Sequence, residues 1–288
     1  MLFIPFLVSG LGVGAVYALS ALGLVVLFRA TGVLNLALGA VGAIGAFIAW
    51  QVIEWGGGII LAVCAAIGAS TVINVIYGRF LAPFLSKRDI VVKAIGTLAL
   101  GLVLLAVIGT IWGSMPRSLS LPGDHIFATI GGVRFNMTQL AALCLSGIMV
   151  IGVALFLSYT RVGLDMRALA DERDLSVILG IKVLRTETVA WAISGAFAGI
   201  AGLLLSDLVR LQAEFLTLLV IPAIAAAILG QLRILWVTLL AGLAMGEVEA
   251  LLTPIYALSS FRAAAPYLIA LCFVGVMSVF YRNNLKER

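Results

Sequence analysis

Residues 161–187 read RVGLDMRALADERDLSVILGIKVLRTE, the one densely polar stretch in an oily chain. Its 27 positions hold Arg161, Asp165, Arg167, Asp171, Glu172, Arg173, Asp174, Lys182, Arg185 and Glu187, from a total of 18 basic and 13 acidic residues. Long apolar runs flank it on both sides. A chain that gathers its charge into one internal segment, between stretches able to cross a bilayer, presents that segment to water. The fold follows from the flanks, and the mechanism from what meets the segment.

Of 288 residues, 63% are hydrophobic and 11% charged, with mean hydropathy +1.22. Soluble domains carry about 25% charged residues, so this composition excludes one and indicates a polytopic membrane protein. The apolar runs are continuous rather than alternating, so the spans are helices and not the strands of a barrel. The net charge of +5 reads as positive loops on one side of a membrane rather than as a nucleic-acid surface. No basic residue precedes Arg29, so the first run reads as a retained span. Cys64, Cys144 and Cys272 fall inside apolar runs without metal or disulfide spacing and read as packing residues. The single histidine, His125, excludes a multi-histidine metal site, and no catalytic constellation or cofactor motif is present.

A spanning helix needs roughly 20 apolar residues. Nine segments qualify: 3–28, 34–53, 57–78, 94–112, 139–159, 187–208, 214–230, 234–253 and 265–281. We therefore expect one all-α membrane domain over 1–288 with about nine transmembrane helices, eight to ten being compatible with the pattern. Segment 214–230 is short and contains Pro222, and 34–53 is rich in Gly and Ala. Either can be broken or re-entrant, which is tolerated only inside protein or beside a cavity. If the polar loop, about 160–186, is cytoplasmic, nine crossings put the N-terminus outside and the C-terminus inside. Fourteen of the 18 basic residues then lie on the inner side, the sense of the positive-inside rule.

Within the loop, Ala168 to Leu179 reads as a short amphipathic helix. Leu164, Ala168, Leu175, Ile178 and Leu179 fall near one face, interrupted by Asp171. Asp171, Glu172 and Asp174 gather toward its start, where the helix dipole favours anions. Gly180 suits the left-handed residue that ends a helix. Two readings stand at this point: a solvated loop helix, or a helix that docks in the groove of a soluble partner, with apolar contacts for affinity and charges for register. The chain has no G-x-x-x-x-G-K-[ST] phosphate loop of its own, so a docking helix would imply a separate ATPase.

Several ordered stretches resemble a known family: GAVYALSALGLVVLFRATGVLNLALGA from Gly14, IGTLALG from Ile95, and RALADERDLSVILGIKVLRTETVAWAISGAFAGIAGLLL from Arg167 to Leu205. A weaker one is Gly246 to Glu249. The chain is similar, over nearly its whole length, to the permease subunits of branched-chain amino acid ABC importers, the LivH type. The resemblance implies an inner-membrane transport subunit without its own ATP site, not an enzyme, with no cofactor. It implies a second, similar permease, two cytoplasmic ATPase subunits and an external solute-binding protein as partners in the bilayer, and no nucleic acid. It assigns Ala168, Asp171, Glu172, Leu175, Ile178, Leu179 and Gly180 to an ATPase-coupling helix. The chain departs from the family at Asn35-Leu36-Ala37-Leu38-Gly39, where Asn-Phe-Ala-His-Gly is usual. It departs again at Val220-Ile221-Pro222-Ala223-Ile224 and at Gly230-Gln231-Leu232-Arg233-Ile234. The solute thus stays open, urea and amides included, and an ion-coupled secondary transporter is the rival class.

Intramembrane acids are costly and usually face protein or water, which makes Glu247 and Glu249 candidates for the translocation path. Two residues apart on a helix, they point about 200° from each other. Glu249 also matches the family position. Asn35 and Tyr17 match as well, against the plainer readings of interhelical hydrogen bonding and packing. Gly10 with Gly14, and Gly195 with Gly199, have the spacing of close helix contacts.

Overall fold

Two helices approach closely only where small residues face each other, and the sequence places such residues on α1 (Ile4–Thr31) and α12 (Leu235–Leu252). In the computed structural model, which describes residues 4–86, 88–119, 127–130, 133–253, 264, 267–269, 271 and 272, the two run antiparallel with backbones nearly touching. A Cβ built on Gly14 would lie 2.8 Å from Leu243 Cα, and one on Gly242 would lie 2.6 Å from Ala18 Cα. The second close seam is between α9 (Val183–Leu208) and α3 (Ile59–Ile76), where Cβ atoms on Gly195 and Gly199 would meet the Ser70 and Ala66 carbonyl oxygens at 2.7 and 3.0 Å. Both seams use the small residues at four-residue spacing.

α1, α9 and α2 (Leu38–Glu54) form the buried centre, with Leu38 to Phe47 enclosed throughout. Around them stand α3, α5 (Ile90–Trp112), α6 (Met137–Tyr159) and α12, which turn apolar side chains such as Leu102, Val103, Ile148, Ile151 and Leu240 outward. That is the inverse of a soluble fold and suits hydrocarbon. Among the described residues six helices are long and apolar enough to cross a membrane, and Leu38–Glu54 and Ala213–Leu229 are shorter apolar helices. These account for eight of the nine expected segments. The ninth, 265–281, lies largely outside the described residues, as do Lys87, His125, Arg262, Arg282, Lys286 and Arg288.

Segment 214–230 is broken, into α10 (Ala213–Leu218) and α11 (Val220–Leu229). Pro222 has no N–H to give the Leu218 carbonyl, so the helix cannot run through Leu219. α2 begins only at Leu38, after a loop held to α5: Thr97 Oγ1 accepts the Leu36 N–H at 3.0 Å and donates to the Leu34 carbonyl at 3.0 Å. α3 ends in a π-helical turn, Tyr77–Leu81, continued by α4 (Ala82–Leu85). One element lies outside the helical expectation, a hairpin of β1 (Phe127–Ile130) and β2 (Val133–Asn136) in the loop before α6. The reading of the cysteines as packing residues is corrected: Cys64, Cys144 and Cys272 are all exposed on the outer surface of the chain, the place for apolar side chains in contact with lipid.

Candidate functional site

The polar stretch is positioned by a sharp corner at the end of α6. Thr160 caps the next helix, α7 (Arg161–Asp171): its Oγ1 accepts the Gly163 N–H at 3.0 Å and donates to the Phe156 carbonyl at 2.7 Å. Gly163 is pressed into the α6 backbone, where an added Cβ would come within 2.6 Å of Leu157 Cα. Arg167 Nη2 donates to Ser158 Oγ at 2.6 Å and holds α7 against α6. The buried face of α7 is Gly163, Met166 and Leu169, at spacing three.

The expected single helix from Ala168 to Leu179 is corrected here. Ala168 and Asp171 close α7, the chain extends at Glu172 (φ −147°, ψ 94°), and a second helix, α8 (Arg173–Ile178), follows. The Glu172 carbonyl then accepts both the Ser176 N–H (3.0 Å) and the Ser176 hydroxyl (2.8 Å), starting α8 afresh. Gly180 stands at φ +83°. Its N–H reaches the Val177 carbonyl (3.0 Å) and the Ile181 N–H reaches that of Ser176 (3.1 Å), the paired bonds of a Schellman ending.

The break turns α8 outward. Leu175 is 57% exposed, and Ile178 and Leu179 are each 79% exposed. Asp171, Glu172 and Asp174 are exposed beside them, while Ser176 is buried underneath. One ion pair fastens this projection to the body: Arg173 Nη2 to Glu187 Oε1 at 2.6 Å, with Glu187 nearly buried on α9. Apolar side chains framed by acids on a helix tied to the core form a surface able to seat in a groove.

Of the four intramembrane candidates, the structure joins two. Tyr17 on α1 donates its hydroxyl to Glu249 Oε2 on α12 at 2.6 Å, across 232 positions of sequence. Glu249 lines two clefts. One, of about 370 Å³, is shared with Tyr17, Phe215, Leu219, Pro222 and Tyr267, so the broken α10–α11 segment forms its wall. The other, of about 440 Å³, lies between the start of α1 and the end of α9, at Ser9, Val13 and Leu208. Glu247 lines neither cleft; its Cα faces Gly10, and its Oε2 is enclosed without a hydrogen-bond partner among the described residues. Asn35 is fully buried and lies in neither cleft: its Oδ1 accepts the Ala37 N–H at 3.0 Å and shapes the turn into α2.

The Arg173–Glu187 pair was not legible beforehand, because both residues lie within a crowd of charges and nothing in spacing selects one partner. Nor did the sequence separate Trp191 and Ser194 from ordinary packing residues, although each buries a polar side-chain atom without a protein partner among the described residues. The tilted stacking of Tyr77 on Trp191, with centroids 5.1 Å apart, closes that region between α3 and α9.

Comparison with known proteins adds a consistent set of likenesses. Residues 6–280 match the family described as branched-chain amino acid transport system, permease component. A Methanocaldococcus jannaschii protein named as a probable branched-chain amino acid transport permease protein LivH is 31% identical over 247 residues, 82% of this chain and 76% of the relative. The high-affinity branched-chain amino acid transport system permease protein BraD of Pseudomonas aeruginosa is 28% identical over 260 residues, covering 85% and 84% of the two chains. The corresponding LivH protein of Escherichia coli K12 is 24% identical over 272 residues, covering 86% and 85%.

Proposed function

Since the chain belongs to the permease-component family of branched-chain amino acid transport systems, we propose that it is the membrane subunit of an ABC importer for branched-chain or related small amino acids. It pairs with a second permease, receives solute from an external binding protein and is driven by two ATPase subunits on its cytoplasmic side. The observation that carries this reading is the outward-turned α8, with Leu175, Ile178 and Leu179 exposed to a face that also carries Asp171, Glu172 and Asp174. An ATPase groove covering those apolar side chains supplies affinity, and the acids supply register. Arg29, Lys93, Arg173 and Arg233 lie at the same end of the bundle, which favours that end as cytoplasmic. The N-terminus is then outside and the C-terminus inside.

In this mechanism the ATPases close on ATP and displace α8. The Arg173–Glu187 ion pair carries that displacement into α9, which is packed along α1, α2 and α3. The moving wall is thus reached through a charged contact to a buried helix. The path for solute runs past Tyr17 and Glu249, beside the broken α10–α11 segment. The Glu249 carboxylate is the counter-charge for the ammonium group of an amino acid, and Tyr17 holds it in place.

The test is uptake of radiolabelled leucine into vesicles holding this chain with its partner permease and ATPases, with the cognate binding protein outside. Uptake that requires ATP and survives collapse of the proton gradient is the expected result. Glu249 also suits an ion site in a secondary transporter. Transport abolished by a protonophore and indifferent to ATP would establish that rival instead.

A further inference from the structure

At the end of the bundle that carries α8, four cations from four separate elements face one cleft of about 450 Å³. Arg29 comes from the last turn of α1, Lys93 from the first turn of α5, Arg173 from the start of α8, and Arg233 from the turn between α11 and α12. Asp171 is the acid on its wall. Arg173 is matched by Glu187, and among the described residues no other salt bridge engages these cations. Arg29 Nη1 donates to the Arg233 carbonyl at 3.4 Å, which holds these two cations side by side. Lys93 also sits where a helix N-terminus already presents positive potential. Like charges held together around a cavity are destabilising unless an anion enters.

The wall is built stiffly. Gln231 and Leu232 both adopt the left-handed conformation, at φ 54° and 55°, although neither is glycine. Such backbone persists only where the surroundings fix it, and it clusters at functional sites. The N–H groups of Gly230, Gln231 and Leu232 are occupied by the carbonyls of Ala226, Ile228 and Ala227. Recognition in the cleft therefore falls to the side chains, Arg233 among them.

The level of the cleft selects the ligand. Arg29 ends the apolar helix Ser9–Thr31, and Lys93 opens the apolar helix Ile90–Trp112, so the cations stand where hydrocarbon gives way to headgroups. Ile90 lines the cleft from α5 and is 58% exposed, and Phe28 and Leu169 add apolar surface to its wall. A cavity that offers cations at that level fits the phosphate of a lipid headgroup, as basic pockets between membrane helices do. We propose that this cleft binds the headgroup of an anionic phospholipid, with its phosphate among Arg29, Lys93 and Arg233. The bound lipid ties α1, α5 and the α11–α12 turn to α8, and so steadies the base from which α8 projects.

The full-length chain in detergent, titrated with phosphatidylglycerol or phosphatidylcholine and read by native mass spectrometry, tests the site. Phosphatidylglycerol should bind at least about tenfold more tightly, because each basic residue near an anionic headgroup contributes separately. Lys93→Gln with Arg233→Gln should reduce that preference to the phosphatidylcholine level, whereas Lys93→Arg with Arg233→Lys should keep it. Lys93→Gln alone, at the partly exposed start of α5, should lower the preference in the same sense and serves where the double variant fails to fold. Equal binding of the two lipids, or an undiminished preference in a folded neutral variant, overturns the proposal. Complete displacement of the lipid by millimolar inorganic phosphate also overturns it, by making the cleft a site for soluble anions.

Discussion

At the scale of single residues, the ion pair between Arg173 and Glu187 separates two roles that α8 could have. Glu187 is almost enclosed, so removing its partner leaves a carboxylate with little water to compensate it. Arg173→Gln should cost about 2 kcal/mol of local stability and leave membrane insertion intact. It should also let ATP hydrolysis run without uptake, and Arg173→Lys should recover part of the coupling. Parallel measurement of hydrolysis and uptake checks this, and a proportional fall of both would point to simple loss of folded protein. Gly180 makes a second prediction. At φ +83° a Cβ is strained, so Gly180→Ala should cost about 1–2 kcal/mol and Gly180→Asn less, seen as earlier proteolysis in the 172–182 loop. In the membrane, Glu249→Gln should raise the KM for uptake by about tenfold or more through loss of a charged contact. Tyr17→Phe should have a smaller effect of the same kind. Unchanged KM in both variants would remove the Tyr17–Glu249 pair from the path.

At the scale of elements, the seam between α1 and α12 has no room for side chains. Gly246→Leu would drive a side chain into the α1 backbone at Gly10 and Gly14, a clash beyond the roughly 1–3 kcal/mol typical of an overpacked core. Gly109→Leu, on α5 with open space around it, is the matched control. Thermal unfolding in detergent should show a large loss for the first and almost none for the second. The seams were legible in the sequence because four-residue glycine spacing has one geometric meaning on a helix. The break in segment 214–230 was legible through Pro222, which removes a specific hydrogen bond. The break at Glu172 was not: no glycine or proline marks it. The chain extends there between a helix cornered at Thr160 and Gly163 and one pinned by Glu187, so the cause is tertiary.

Across the whole molecule, the apolar runs set the architecture, since about 20 hydrophobic residues can do little else but cross a bilayer. What they could not reveal was adjacency. Tyr17 and Glu249 are far apart in sequence and meet only because α1 and α12 lie in contact. Asn35, the amide among the candidates, is fully buried with its Oδ1 on the Ala37 N–H. Charge balance suggested a side for the polar loop, and the convergence of Arg29, Lys93, Arg173 and Arg233 on one cleft gives that suggestion a physical location. The claim that organises the molecule is that α8 is where an outside motor grips it. Its most direct test is co-purification of the ATPase subunits with a chain carrying Asp171→Arg and Leu175→Glu, after confirming normal insertion. Retention should fall by about tenfold or more, as expected when an apolar anchor of an interface becomes charged, and ATP-driven uptake should vanish with it. Undiminished retention and uptake would contradict the docking role of α8.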